Sequence, residues 1–130
     1  MTKRINYSSD AVWEDIVGYS RAVKVGDLVE ISGTTSVEGE KVIGIGDPFK
    51  QTKFIIEKFS AILENAGGTL HNIVRVRIYV VKIDHWENIS KAFSHYFKNI
   101  KPAATLVEVS SLILPELLVE MEATAILNTE

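Results

Sequence analysis

The sequence predicts one mixed β-sheet with two helices packed on a single face. Three observations predict it. Apolar residues recur at helical spacing over two stretches, one opened by Asp47-Pro48 and the other by Asp84. They alternate with a period of two along residues 73–81 and 117–127. The resulting order of strands, helix, strand, helix, strands lays both helices on one side of a sheet. The 130 residues suit one domain spanning 1–130 and suffice for a real core.

Each element has a local reason. Residues 21–25 and 28–32 are β-prone runs that flank Gly26-Asp27, the signature of a hairpin. Residues 36–46 carry three glycines and two acids and read as a loop with a short strand near Val42. Asp47 is the N-cap of the first helix, and Pro48 fits its first turn, where a missing N–H is harmless. Ile55, Phe59, Ile62 and Ala66 form its buried stripe, widened by Ile56 and Leu63, and Gly67-Gly68 stops it. In the next strand Val74, Val76, Ile78 and Val80 make one apolar face, with Arg75, Arg77 and Tyr79 on the other.

Asp84 and Glu87 form a capping-box-like start for the second helix. Trp86, Ile89, Phe93, Tyr96, Phe97 and Ile100 make its buried stripe, and Pro102 ends it. A strand over 105–109, a turn region over 112–115 and the strand 117–127 complete the chain. In that last strand Leu117, Val119, Met121, Ala123 and Ala125 share one face, and Leu118, Glu120, Glu122, Thr124 and Ile126 share the other. The sheet then has a second face that the helices leave bare. It carries Arg75, Arg77, Tyr79, Glu120, Glu122 and Thr124 among aliphatic residues. A face of this mixed character meets water or other subunits, and oligomerisation is the expectation.

Composition excludes several classes. With 46% apolar and 24% charged residues the chain is neither a disordered tail, a coiled coil nor a collagen-like fibre. Fourteen basic residues against 17 acidic ones, net −3, argue against a dedicated nucleic-acid partner. There are no cysteines, so disulfides, thiol catalysis and cysteine zinc sites are excluded. Residues 1–10 lack an apolar core of signal-peptide length, and no apolar run approaches a membrane span. The expected setting is the cytoplasm, with no membrane partner.

Chemistry-bearing motifs are sparse. His71, His85 and His95 have no spacing that pairs them as helical metal ligands, so no metal is predicted. Ser8, Ser9, Ser20, Ser32 and Ser36 lie outside any G-x-S-x-G elbow. Gly44-Ile45-Gly46 lacks the remaining residues of a phosphate loop. The pair Glu120 and Glu122 is more informative, because alternate strand residues place two carboxylates on one face about 7 Å apart. Two readings stand: an ion-pair network with Arg75 and Arg77 at a subunit interface, or a carboxylate that orients water against a bound small molecule.

Several motifs in order carry a resemblance. Gly18-Tyr19-Ser20-Arg21-Ala22-Val23, then Gly26-Asp27, then Ile31-Ser32-Gly33-Thr34 are followed by Gln51, residues 63–67, residues 73–80, Pro102-Ala103 and residues 119–125. This set resembles the RidA/YjgF family, also called RutC-like or endoribonuclease L-PSP. The resemblance implies a chorismate-mutase-like α+β fold. It implies a homotrimer whose sheets form a central barrel with the helices outside, and small-molecule clefts between neighbouring subunits. Active members hydrolyse enamines and imines, such as 2-aminoacrylate, to 2-oxo acids and ammonia without a cofactor, so none is expected.

The resemblance also implies site residues. Glu120 matches the acid that positions water and is the expected catalytic residue. Tyr19, Ser32, Gly33, Thr34, Ser90, Ala104 and Thr105 are the expected substrate-binding positions. Three depart from the family's pattern. Thr34 replaces the usual Gln, Ser90 stands where many members have Asn, and Ala104 replaces the arginine that clamps the substrate carboxylate. A methyl group cannot bind a carboxylate. Arg75 or Arg77, and further Arg21 and Lys101, are the cations that could take over. The implied functions are a divergent enamine or imine deaminase, a non-catalytic ligand-binding trimer, or the endoribonuclease and translation-inhibitor role that some members carry by name. The acidic balance disfavours the last.

Overall fold

The structure, a computed structural model, describes residues 2–9 and 11–129; Met1, Asp10 and Glu130 lie outside it, and with them both ends of the segment 1–10 read for a leader. A short strand β1 (Arg4–Tyr7) and a short helix α1 (Val12–Val17) precede the hairpin β2 (Ala22–Val25) and β3 (Leu28–Thr35). Sequence periodicity reveals neither, because four and six residues are too short to show a period. The glycine-rich loop folds into the small ribbon β4 (Val37–Glu38) and β5 (Lys41–Val42). Then come α2 (Pro48–Ala66), β6 (Ile73–Val80), α3 (Trp86–Phe97), β7 (Ala103–Glu108) and β8 (Val119–Ile126).

Six strands form one sheet in the order β1-β2-β3-β8-β6-β7. Only β6 and β7 run parallel among these pairs, as a strand–helix–strand crossover through α3 requires. The sheet is therefore mixed, and the fold is α+β. The core sits between it and the helices. Ile55, Ile56, Phe59 and Leu63 of α2 and Ile89 and Phe97 of α3 pack on Val29, Ile31, Val76, Ile78, Met121 and Ala123. The Asp47 cap is as read: its side chain accepts the Lys50 N–H, at 3.0 Å. Among the described residues no helix is long and apolar enough to cross a membrane.

Four local expectations are corrected. Val74 does not share the inward face: a register shift between Ile73 and Arg75 leaves Val74 42% exposed and turns Ile73 inward instead. Asp84 does not cap α3. It lies in a single 3-10 turn over Ile83–His85, and the N-cap residue is His85, with no side-chain cap bond. The carboxylate of Glu108 on β7 secures this entry instead, accepting the Ile83 N–H at 2.9 Å. Trp86, read as part of the stripe, is 52% exposed, and Ala92 takes an inward place. Finally, β7 begins at Ala103, so Ala104 is a strand residue.

Candidate functional site

The site residues fall into two groups. The first surrounds Gly33. In β3 the register with β8 shifts between Ile31 and Thr34, so Ser32 and Gly33 together face the single residue Glu122. This bulge twists the strand just where β2 has ended. Glu120 pairs with Thr35 on one side and Tyr79 on the other, which places its side chain on the bare face. Its carboxylate folds back onto Gly33: a Cβ there would lie 2.5 Å from Glu120 Oε2. The absence of a side chain at Gly33 thus makes the carboxylate's seat.

Two cations attend the same strand edge. Arg21 Nη2 donates to the Gly33 carbonyl at 2.5 Å, and Lys58 Nζ donates to the Thr35 carbonyl at 2.9 Å. Burial pushes the Glu120 carboxyl above its ordinary pKa; the Arg21 charge opposes this and the neighbouring Glu122 adds to it. Burial also drives the Lys58 ammonium down to about 8, with the Arg21 charge adding and Glu38 opposing. The sequence reading missed Lys58. Its only signal was a charged residue bordering the apolar stripe of α2.

Other expected positions near this group have defined surroundings. Gly18, at φ 94°, ends α1 in the left-handed conformation and turns the chain so that Tyr19 follows, 40% exposed. Ser32 Oγ donates to the Ser20 carbonyl at 2.6 Å. Thr34 is buried, and its hydroxyl donates to the Ser32 carbonyl at 2.8 Å, so it braces the bulge rather than presenting a free hydroxyl. Glu14, also buried, anchors α1. Burial pushes its carboxyl up, but hydrogen bonds from Ser9 and Ser8 and the Arg21 charge outweigh this and hold it below its usual pKa.

The second group lines an open groove of about 390 Å³ between α3 and β7, where Ser90, Ala104 and Thr105 meet Ile89, Phe93 and Leu106. Register fixes how they face. Ala104 pairs with Val76 and Leu106 with Ile78, both core residues, so Ala104 points to the helix side. Glu120, beside Tyr79, points to the other. Within one chain the expected catalytic residue and the clamp position therefore lie on opposite faces of the sheet.

The bare face also accounts for Arg75 and Arg77. Arg75 Nη2 donates to Thr105 Oγ1 at 2.6 Å, and Arg77 Nη1 lies 3.8 Å from Glu122 Oε2. Glu122 further accepts from the Tyr79 hydroxyl at 2.5 Å, a bond that raises the tyrosine's pKa, with burial and the Glu122 charge adding. Of the two carboxylates, Glu122 pairs with Arg77, while Glu120 forms no ion pair among the described residues. No group of three or more His, Cys, Asp or Glu converges as a metal site among them either.

Comparison with known proteins agrees with this architecture. The family model described as Endoribonuclease L-PSP matches residues 10–127. A RutC family protein of Pyrococcus abyssi is 37% identical over 126 residues, covering 96% of this chain and 98% of its own length. The 3-aminoacrylate deaminase RutC of Acinetobacter baylyi is 31% identical over 108 residues, 82% of this chain and 85% of that protein. A crystal structure of a YjgF family member from Mycobacterium tuberculosis superposes with a TM-score of 0.87 at 39% identity, covering 96% of this chain and all of the other. The chain accordingly belongs to the Endoribonuclease L-PSP family, the RidA/YjgF and RutC group of proteins.

Proposed function

We propose that this protein hydrolyses a small enamine or imine, without a cofactor, in clefts between the subunits of a cytoplasmic homotrimer. The observation that carries the reading is Glu120: a half-buried carboxyl with a raised pKa, seated against the bare Cα of Gly33. Such a group exchanges a proton with water nearer neutral pH than an ordinary carboxylate does. In the reaction it takes a proton from water as the oxygen adds to the C=N carbon. It then returns that proton to nitrogen to give a carbinolamine, and moves the carbinolamine's hydroxyl proton to the same nitrogen as the C=O forms and the C–N bond breaks, so that a ketone and ammonia leave. Tyr19, Ser32 and Gly33 shape the wall beside Glu120, with Thr34 behind them. Ser90 and Ala104 form the opposing wall, contributed by the next subunit, while the Thr105 hydroxyl, bound by Arg75, lies on the bare face.

The trimer is part of the proposal because Glu120 and Ala104 face opposite sides of one sheet. The two walls meet only if the β7 edge of one copy, which carries Ala104, lies against the bare face of the next. The likeness to a 3-aminoacrylate deaminase supports the chemistry. The methyl at Ala104 favours a second reading, a trimer that binds a ligand without converting it.

The test is release of 2-oxo acid from 2-aminoacrylate generated in situ. We expect acceleration by the protein that Glu120→Gln abolishes. No acceleration at high protein concentration leaves the ligand-binding reading. Light scattering at micromolar protein should give three times the chain mass; a stable folded single chain would remove the clefts and both readings with them.

A further inference from the structure

We propose that Arg21 is the anion-binding group of this cleft, receiving a carboxylate of the bound molecule on its guanidinium from the strand edge beside Gly33. The inference draws its substrate from the hydrolase reading, but its test is a binding measurement that stands apart from turnover.

The cations first considered are placed elsewhere. Arg75 and Arg77 project from the bare face, opposite to Ala104, and are engaged by Thr105 and Glu122. Lys101 is exposed in the turn before β7, at φ 53°. Arg21 stands at the site itself. Its guanidinium has five N–H donors in a planar fork. One of them meets the Gly33 carbonyl, its Nε is buried with no partner, and it makes no ion pair with a carboxylate among the described residues. Glu14 and Glu120 feel the Arg21 charge but form no ion pair with it, and Glu14 is held by Ser8 and Ser9.

The surroundings favour an anion. Gly33 and Thr35 are alternate residues, so their carbonyls leave the same edge of β3, beyond the end of β2. Arg21 caps the first and Lys58 the second, which sets two positive charges along one edge. The lowered Lys58 pKa, to which Arg21 contributes after burial, shows that the two charges sense each other. An anion at this edge relieves that repulsion, and a guanidinium is shaped to hold a carboxylate by two parallel bonds. The geometry suits a 2-imino acid. With the carboxylate on Arg21, the adjacent carbon lies over Gly33, next to Glu120 Oε2, where water must add. The anion is thus read from the Glu120 wall, and the wall that carries Ala104 needs no arginine.

The experiment compares 2-oxobutanoate with its methyl ester by calorimetric titration. The native protein should bind the acid at least about tenfold more tightly than the ester, the scale of one charge-assisted pair. Arg21→Gln should abolish that preference and leave ester binding unchanged, Arg21→Lys should keep part of it, and Lys101→Asn should keep all of it. Equal binding of acid and ester by the native protein overturns the assignment, as does an undiminished preference in Arg21→Gln. If Arg21→Gln does not fold, an undiminished preference in Arg21→Lys overturns it in the same way, since the bidentate fork is lost. Arg21-dependent binding without turnover of 2-aminoacrylate refutes the hydrolase and keeps the anion site. Turnover with no preference for the acid does the reverse.

Discussion

Gly33→Ala tests the site at its tightest point. The added Cβ would lie 2.5 Å from Glu120 Oε2 and 3.2 Å from Glu120 Cδ. Ordinary contact begins near 3.4 Å, so the oxygen must withdraw by 3.4 − 2.5, about 0.9 Å. The obstacle is the tip of a flexible side chain, and the backbone at Gly33 is not in the left-handed region. Moving the tip off its rotamer costs about 0.5–1.5 kcal/mol. Replacing glycine by alanine within a strand returns about 0.5–1 kcal/mol. Stability should therefore change by no more than about 1 kcal/mol, a Tm shift within about 3–5 °C for a chain of this size. Activity should respond far more. A misplacement of about 1 Å in a catalytic group lowers the rate by around 100-fold. The assay is kcat/KM for 2-aminoacrylate hydrolysis beside a thermal melt of the same sample. Unchanged activity would refute the claim that the Gly33 seat positions Glu120 for catalysis. A Tm loss beyond 10 °C would refute the claim that the carboxylate is free to withdraw.

Three further outcomes follow from the same contacts. Gln51→Leu strands the Leu118 N–H and the carbonyls of Gly44 and Glu116, which the buried glutamine now satisfies. At about 1–3 kcal/mol per stranded group, denaturant titration should show a loss of at least about 3 kcal/mol. Lys58 has a folded pKa of about 8 against 10.5 in its unperturbed state, so its contribution to stability is full above pH 10.5 and is lost as pH falls through 8. Relative to Lys58→Met, the native protein should gain about 1 kcal/mol between pH 7.5 and pH 10.5, a figure discounted for solvent screening of a partly exposed amine. A parallel pair of denaturation curves checks it. Ala104→Arg places a guanidinium in the groove beside Ser90, and should raise kcat/KM for 2-aminoacrylate about tenfold through a second charge-assisted contact.

Much of the fold could be read from local pattern. The Asp47-Pro48 start, the Gly67 stop and the alternation through Leu117 to Ala125 all reappear in the structure, because each rests on the steric and hydrogen-bonding habits of neighbouring residues. The misreadings share a different origin. Val74 sits at a bulge that only the partner strand reveals. The entry to α3 is held by Glu108, 25 residues away, so Asp84 has no capping role there. Of the site, Glu120, Ser32 and Gly33 were visible as motif residues. Lys58 was not, since its partner is the carbonyl of Thr35, 23 residues earlier in the chain.

From its residues alone, this chain dictates which segments are helix or strand and that one sheet face is semi-polar. Those properties depend on the period of apolar residues, which is local information. The folded chain decides which residues meet across that sheet. Two bulges reset the register, and each one-residue shift exchanges the faces of all that follows. Pairing across strands then seats Glu120 on Gly33, sets Arg21 and Lys58 along one carbonyl edge, and turns Ala104 to the opposite side. These contacts join residues from 12 to about 90 positions apart, and free energy selects them only once the whole sheet has closed.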